Sequence, residues 1–141
     1  MRRAAFVILA AVVATACDNS SDSTASSTGL SATAVATTES FTGTIPVGGT
    51  DFHSFTVVAG GGTLSATLTA AGPPSTIFMG LGIGTPGSGV CAILPNAATS
   101  TQAAATPQLS GTIGAGTYCV SVFDIGNQSA PVTYAVTVSH Y

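Results

Sequence analysis

The sequence predicts an all-β protein, an antiparallel β-sandwich of jelly-roll-like form, preceded by a signal peptide and a disordered Ser/Thr-rich tether. Three observations predict it. From Phe41 onward, apolar residues alternate with hydroxyl-bearing ones, a period of two that gives a strand one dry face and one wet face. Glycine and proline clusters interrupt this alternation at short intervals, as turns between strands do. No 3.6-residue apolar repeat runs through the chain after Cys17, so nothing in that stretch is predicted to be helical.

The chain begins with Arg2 and Arg3, followed by an uncharged run from Ala4 to Ala16. That run is shorter than the roughly 20 residues a membrane-crossing helix needs. Ala14-Thr15-Ala16-Cys17 then sets small residues before a thiol, the layout of a bacterial lipoprotein signal peptide. Residues 1–16 are therefore expected to be removed and Cys17 to carry lipid. The alternative is an ordinary secretory signal cut after Ala16, leaving Cys17 as a plain thiol. The chain has 3 cysteines, an odd number that an exported protein must account for. With Cys17 lipidated, Cys91 and Cys119 remain as a pair, and a disulfide persists outside the cytoplasm.

Both cationic side chains lie in the signal segment, whereas all 5 acids (Asp18, Asp22, Glu39, Asp51 and Asp124) follow it. Phosphate binding is dominated by cationic side chains, so nucleic acid is excluded as a partner. An attraction to anionic lipid beyond the anchor is excluded on the same ground. Residues 17–38 contain the lipidated cysteine and a tether of mainly Ser, Thr and Ala, too poor in large apolar groups to offset its ordering entropy. As a random coil such a tether spans roughly 25 Å. Residues 39–141 form one domain.

Seven strands are expected within that domain, at 41–45, 50–58, 62–70, 76–84, 108–113, 116–124 and 132–140. Leu64, Ala66 and Leu68 alternate with Thr63, Ser65, Thr67 and Thr69; Ile77, Met79, Leu81 and Ile83 oppose Phe78, Gly80, Gly82 and Gly84. Tyr118, Val120 and Val122, and then Val132, Tyr134, Val136 and Val138, each define an inward face. This phase turns Cys119 outward, so a Cys91–Cys119 bridge is expected outside the core, clamping the segment 85–107 onto a sheet. The alternating Gly80, Gly82 and Gly84 leave a flat outer strip, read chiefly as space for that segment and otherwise as a docking strip.

Phe41-Thr42-Gly43-Thr44-Ile45, Asp51 to Val57 and Gly62 to Leu68 together resemble the bacterial pre-peptidase C-terminal domain. So do Leu109 to Ile113, Gly116 to Val120 and the closing Tyr134 to Val138. The resemblance implies a jelly-roll-like sandwich that accompanies secreted peptidases as an accessory module. The acids here are too isolated to carry over the calcium binding of some relatives.

His53 and His140 fall in the inward phase near strand ends, with Asp51 in phase with His53. A His/His/Asp metal site or a His–Asp base pair is one reading. The favoured one is that His53 fills an aromatic slot and His140 lies near a fraying C-terminus. No G-x-S-x-G elbow occurs, and the glycine-rich stretch from Gly82 to Gly89 lacks the lysine and helix of a phosphate loop. No catalytic residue, metal ligand or cofactor site is therefore assigned. Phe52, Phe78 and Phe123 are the outward aromatics and the candidate surface contacts. The expectation is a non-enzymatic, lipid-anchored bacterial cell-envelope protein facing the periplasm or the exterior. Its sandwich meets a protein or glycan partner; a carbohydrate-binding module and a small secreted hydrolase are the alternatives.

Overall fold

The computed structural model describes residues 35–58 and 60–141. The signal segment, Cys17 and nearly all of the expected tether lie outside them. Eight strands follow in order: β1 Thr37–Ile45, β2 Thr50–Val57, β3 Gly62–Gly72, β4 Met79–Gly87, β5 Val90–Thr101, β6 Leu109–Ile113, β7 Gly116–Phe123 and β8 Val132–His140. They form two four-stranded sheets, ordered β1-β8-β3-β6 and β2-β7-β4-β5, with every pairing antiparallel. Eight strands divided in this order make a double-sheet jelly roll.

Alternation builds the core as expected. Leu64, Ala66, Leu68, Val132, Tyr134, Val136 and Val138 face inward from one sheet, and Phe55, Val57, Met79, Leu81, Ile83, Val120 and Val122 meet them from the other. The phase slips once in β3, at a bulge between Leu68 and Ala70. There the Leu68 N–H donates to Gln108 Oε1 at 2.7 Å, and its carbonyl accepts the Ala104 N–H at 2.9 Å. The chain leading into β6 thus satisfies backbone groups near the bulge.

Three expectations about strands are corrected. The first strand, expected at 41–45 after a tether ending at residue 38, begins at Thr37, because Thr37 and Thr38 pair with His140 and Ser139 of β8. The segment 85–107, in which no strand was expected, contains β5, an eighth strand on the edge of the second sheet. It joins β4 through Ser88-Gly89, whose φ angles of 51° and 79° suit a two-residue hairpin turn. Between Ile93, paired with Gly84, and Ala98, paired with Gly82, β5 carries extra residues around Leu94-Pro95-Asn96. Leu94 and Ala97 pack against the core from this bulge. The strand expected at 76–84 starts later, at Met79, and continues to Gly87.

The Cys91–Cys119 bridge is present, with a Cα–Cα separation of 5.9 Å. Cys119 faces away from the core cluster, as its phase predicts, yet it is fully buried. The bridge joins β5 to β7 over Gly84 of the intervening β4: a β-carbon at 84 would overlap the Ala92 carbonyl and lie 2.9 Å from Cys91 Sγ. A β-carbon on Gly82 would meet Ile93 Cδ1 at 2.7 Å, and one on Gly80 would overlap the Phe123 ring. The glycine strip is therefore occupied by the chain itself.

Candidate functional site

The outward phase of the second sheet brings two of the three candidate aromatics, Phe52 and Phe123, to one face. Phe52 of β2 sits opposite Ser121 of β7. Phe123, two residues on, sits opposite Gly80 of β4. Phe78 directly precedes β4, outside its paired residues. By register Phe52 and Phe123 are diagonal neighbours across β2 and β7. The environments of the three differ. Phe123 is half-buried over Gly80, Phe52 is half-buried, and Phe78 is 47% exposed.

Phe78 also borders a cavity of about 240 Å3 between the Pro73–Phe78 segment and the loop before β8. That loop is organised by Asp124. Its carboxylate accepts the N–H groups of Gly48 and Gly126, both at 2.8 Å, and those of Asn127 and Gln128 at 3.1 and 3.3 Å. These donors, Gly48 first, hold the carboxyl below the usual carboxylate range. A second cavity, of about 200 Å3, opens between the edge strands β5 and β6 and is lined by Leu64, Ile83, Leu94, Leu109 and Ile113.

The histidines do not come together. His53 stacks on Phe41, with ring centroids 4.8 Å apart and planes at 6°. Its Nε2 lies 3.9 Å from Asp51 Oδ2, because the Tyr134 hydroxyl stands between them. Tyr134 donates to Asp51 Oδ2 at 2.7 Å, and His53 Nε2 lies 2.9 Å from the same hydroxyl. A phenol has one proton, here given to Asp51, so His53 Nε2 carries the hydrogen that completes the chain. The space comes from Gly43, where a β-carbon would overlap the Asp51 carboxylate and approach Tyr134 Oη at 2.7 Å.

His140 is buried at 3% exposure, not fraying. Its Nε2 lies 3.0 Å from Glu39 Oε1 and its ring stacks on Phe55. Its Nδ1 is buried without a partner. Among the described residues, no three of His, Cys, Asp and Glu converge as a metal-binding group.

The Asp51–Tyr134–His53 chain is a clasp between sheets, since β2 supplies the acid and imidazole and β8 the phenol. Burial, followed by the hydrogen bond to Asp51 and its negative charge, pushes the Tyr134 hydroxyl above the usual phenol range. A phenol held in its protonated form is neither a base nor a nucleophile near neutral pH. Sequence reasoning placed Tyr134 only in the core; the signal available was that an inward phenol needs a hydrogen-bond partner.

The clasp predicts an alkaline limit. A pKa raised in the folded state contributes stability that is complete below the unfolded value of 10.0. That contribution is lost as pH rises through the folded value. Thermal melts from pH 8 to 12 are expected to show a decline above about pH 10 that is shallower in Tyr134→Phe. Parallel declines in the two proteins would contradict the clasp.

No family model matches the chain, and no curated protein matches it. Among solved structures, the chain is similar to the crystal structure of Aeromonas hydrophila PliG, a periplasmic lysozyme inhibitor of g-type lysozyme. The identity is 16%, the match covers 74% of this chain and 86% of that one, and the TM-score is 0.47.

Proposed function

We propose that this chain is a non-enzymatic interaction module held at the bacterial cell envelope by lipid on Cys17. Its jelly roll, facing the periplasm or the exterior, makes contact through the outer face of the β2-β7-β4-β5 sheet. The observation that carries this reading is the closed Cys91–Cys119 bridge. It accounts for two of the three cysteines and leaves the third behind an apolar run that two arginines open. A structural disulfide suits an oxidising compartment, and the remaining thiol stands where a lipoprotein signal places its acceptor. The placement of Phe52 and Phe123 on one face, with the exposed Phe78 just before β4, supports contact there. The eight-strand order is in keeping with an accessory sandwich similar to the pre-peptidase C-terminal domain.

Two measurements test the reading. Cys17→Ser is expected to abolish palmitate labelling and to move the protein from the membrane to the soluble fraction. Continued labelling, or a protein that keeps residues 1–16 in the cytosol, overturns it. A photo-crosslinking phenylalanine at position 52 or 78 is expected to capture an envelope component that the same group at Thr69, exposed on the other sheet, does not. Equal capture at all three positions removes the assigned face.

A further inference from the structure

The cavity beside Phe78 combines two kinds of wall. Pro73, Pro74 and the exposed Phe78 ring give it apolar surface, and Thr76, Asn127 and Ser129 give it hydroxyl and amide groups. We infer that this cavity binds one ring of an uncharged saccharide, with Phe78 as its platform; the inference rests on the surface-contact reading above and names the ligand class for it.

Charge narrows the ligand first. The described residues contain no lysine or arginine, so an anion entering the cavity finds no cationic side chain to offset its desolvation. A cation fares no better, because the nearby carboxylate of Asp124 is already engaged by four backbone N–H groups. The ligand must then be neutral.

Polarity narrows it further. A wholly apolar ligand would strip water from Thr76, Asn127 and Ser129 without replacing their hydrogen bonds. A pyranose presents C–H groups to an aromatic or proline surface and hydroxyls around its edge, so one molecule satisfies both walls. Size sets the number of rings. At about 240 Å3 the cavity falls below the roughly 300–1,000 Å3 of sites for drug-sized ligands, so one ring enters and its neighbours lie outside.

The wall is also held in place. Asn127 Nδ2 donates to the Phe78 carbonyl at 3.1 Å, and its backbone N–H donates to Asp124. The side-chain oxygen of Asn127 is left as an acceptor. The Ile77 N–H bonds the Pro74 carbonyl at 3.0 Å, closing the opposite loop. A site fixed before the ligand arrives loses less entropy on binding.

The test is a nuclear magnetic resonance titration of the exported, disulfide-bonded chain carrying Cys17→Ser. Two neutral trisaccharides, cellotriose and tri-N-acetylchitotriose, are compared with charged trigalacturonic acid. At least one neutral sugar is expected to shift the amides of Thr76, Phe78, Asn127 and Ser129 saturably, with a Kd at or below the millimolar range. Phe78→Ala is expected to weaken that binding at least about tenfold, and Phe78→Tyr to retain it. Because Phe78 is exposed, both variants should keep the remaining amide spectrum. The assignment falls if neither neutral sugar shifts these amides up to about 10 mM, if trigalacturonic acid binds as tightly, or if Phe78→Ala binds like the parent. Face-specific crosslinking that persists in such a case keeps the surface-contact reading and removes only the saccharide.

Discussion

Replacing Cys91 and Cys119 together by alanine is expected to lower folding stability by about 3–4 kcal/mol. The cysteines are 28 residues apart, and the chain-entropy relation for a loop of that length gives this figure at 25 °C. For a domain of about 100 residues, the melting temperature should fall by roughly 15–25 °C. The location of the bridge is why so much rests on it. Along β5 no residue is fully buried; every side chain is exposed or half-buried. The strand also contains Pro95 and a bulge, so neither burial nor an unbroken ladder holds it firmly. Circular dichroism melts of the exported parent and the double variant measure the difference; a fall of less than about 5 °C would mean that the β4–β5 pairing suffices alone.

Gly84→Val should produce the second large effect, by a different route. The position has ordinary strand geometry, so backbone strain is not the cause. A side chain there drives into the Ala92 carbonyl and toward Cys91 Sγ, and the Ala92 obstacle is backbone, which cannot rotate aside. Forcing extra atoms into a packed site costs about 1–3 kcal/mol. If β5 lifts to relieve the overlap, the two sulfurs separate beyond bonding geometry. The expected outcome is a substantial fraction of exported protein with both thiols free, counted by thiol titration under denaturing conditions. A fully bridged Gly84→Val protein with the parent's melting temperature would show that the hairpin has room to move. Gly87, whose added β-carbon would meet nothing within 4 Å, is the matched control.

These two expectations also mark where the sequence was legible. Seven strands were readable because stretches of each alternate apolar and small or polar residues with a period of two, between Gly and Pro punctuation. Leu64 to Leu68 and Val132 to Val138 are the clearest cases. The β5 strand was not readable in this way. It is an edge strand, its apolar residues Val90, Ile93 and Leu94 do not alternate, Pro95 is tolerated there, and the bulge at Leu94–Asn96 changes its phase partway along. The outward direction of Cys119 followed from the inward phase of Tyr118, Val120 and Val122, but its complete burial required knowing what lay above it. His140 illustrates the same limit. Its position near the end of the chain suggested fraying, whereas pairing of β8 with the start of β1 places it beside Glu39, 101 residues away in sequence.

The sequence by itself determined the fold class, the inward faces of the strands it revealed and the lack of cationic chemistry beyond its first few residues. Each depends on composition or on the local period of the backbone, and neither needs a distant neighbour to be read. Only the tertiary structure decided that β5 is a strand, that Tyr134 joins Asp51 to His53, and that Phe78 borders a cavity with Asn127 and Ser129. Those are contacts between segments far apart in the chain. They depend on strand register and on crossings between sheets, which side-chain alternation within a single segment does not encode.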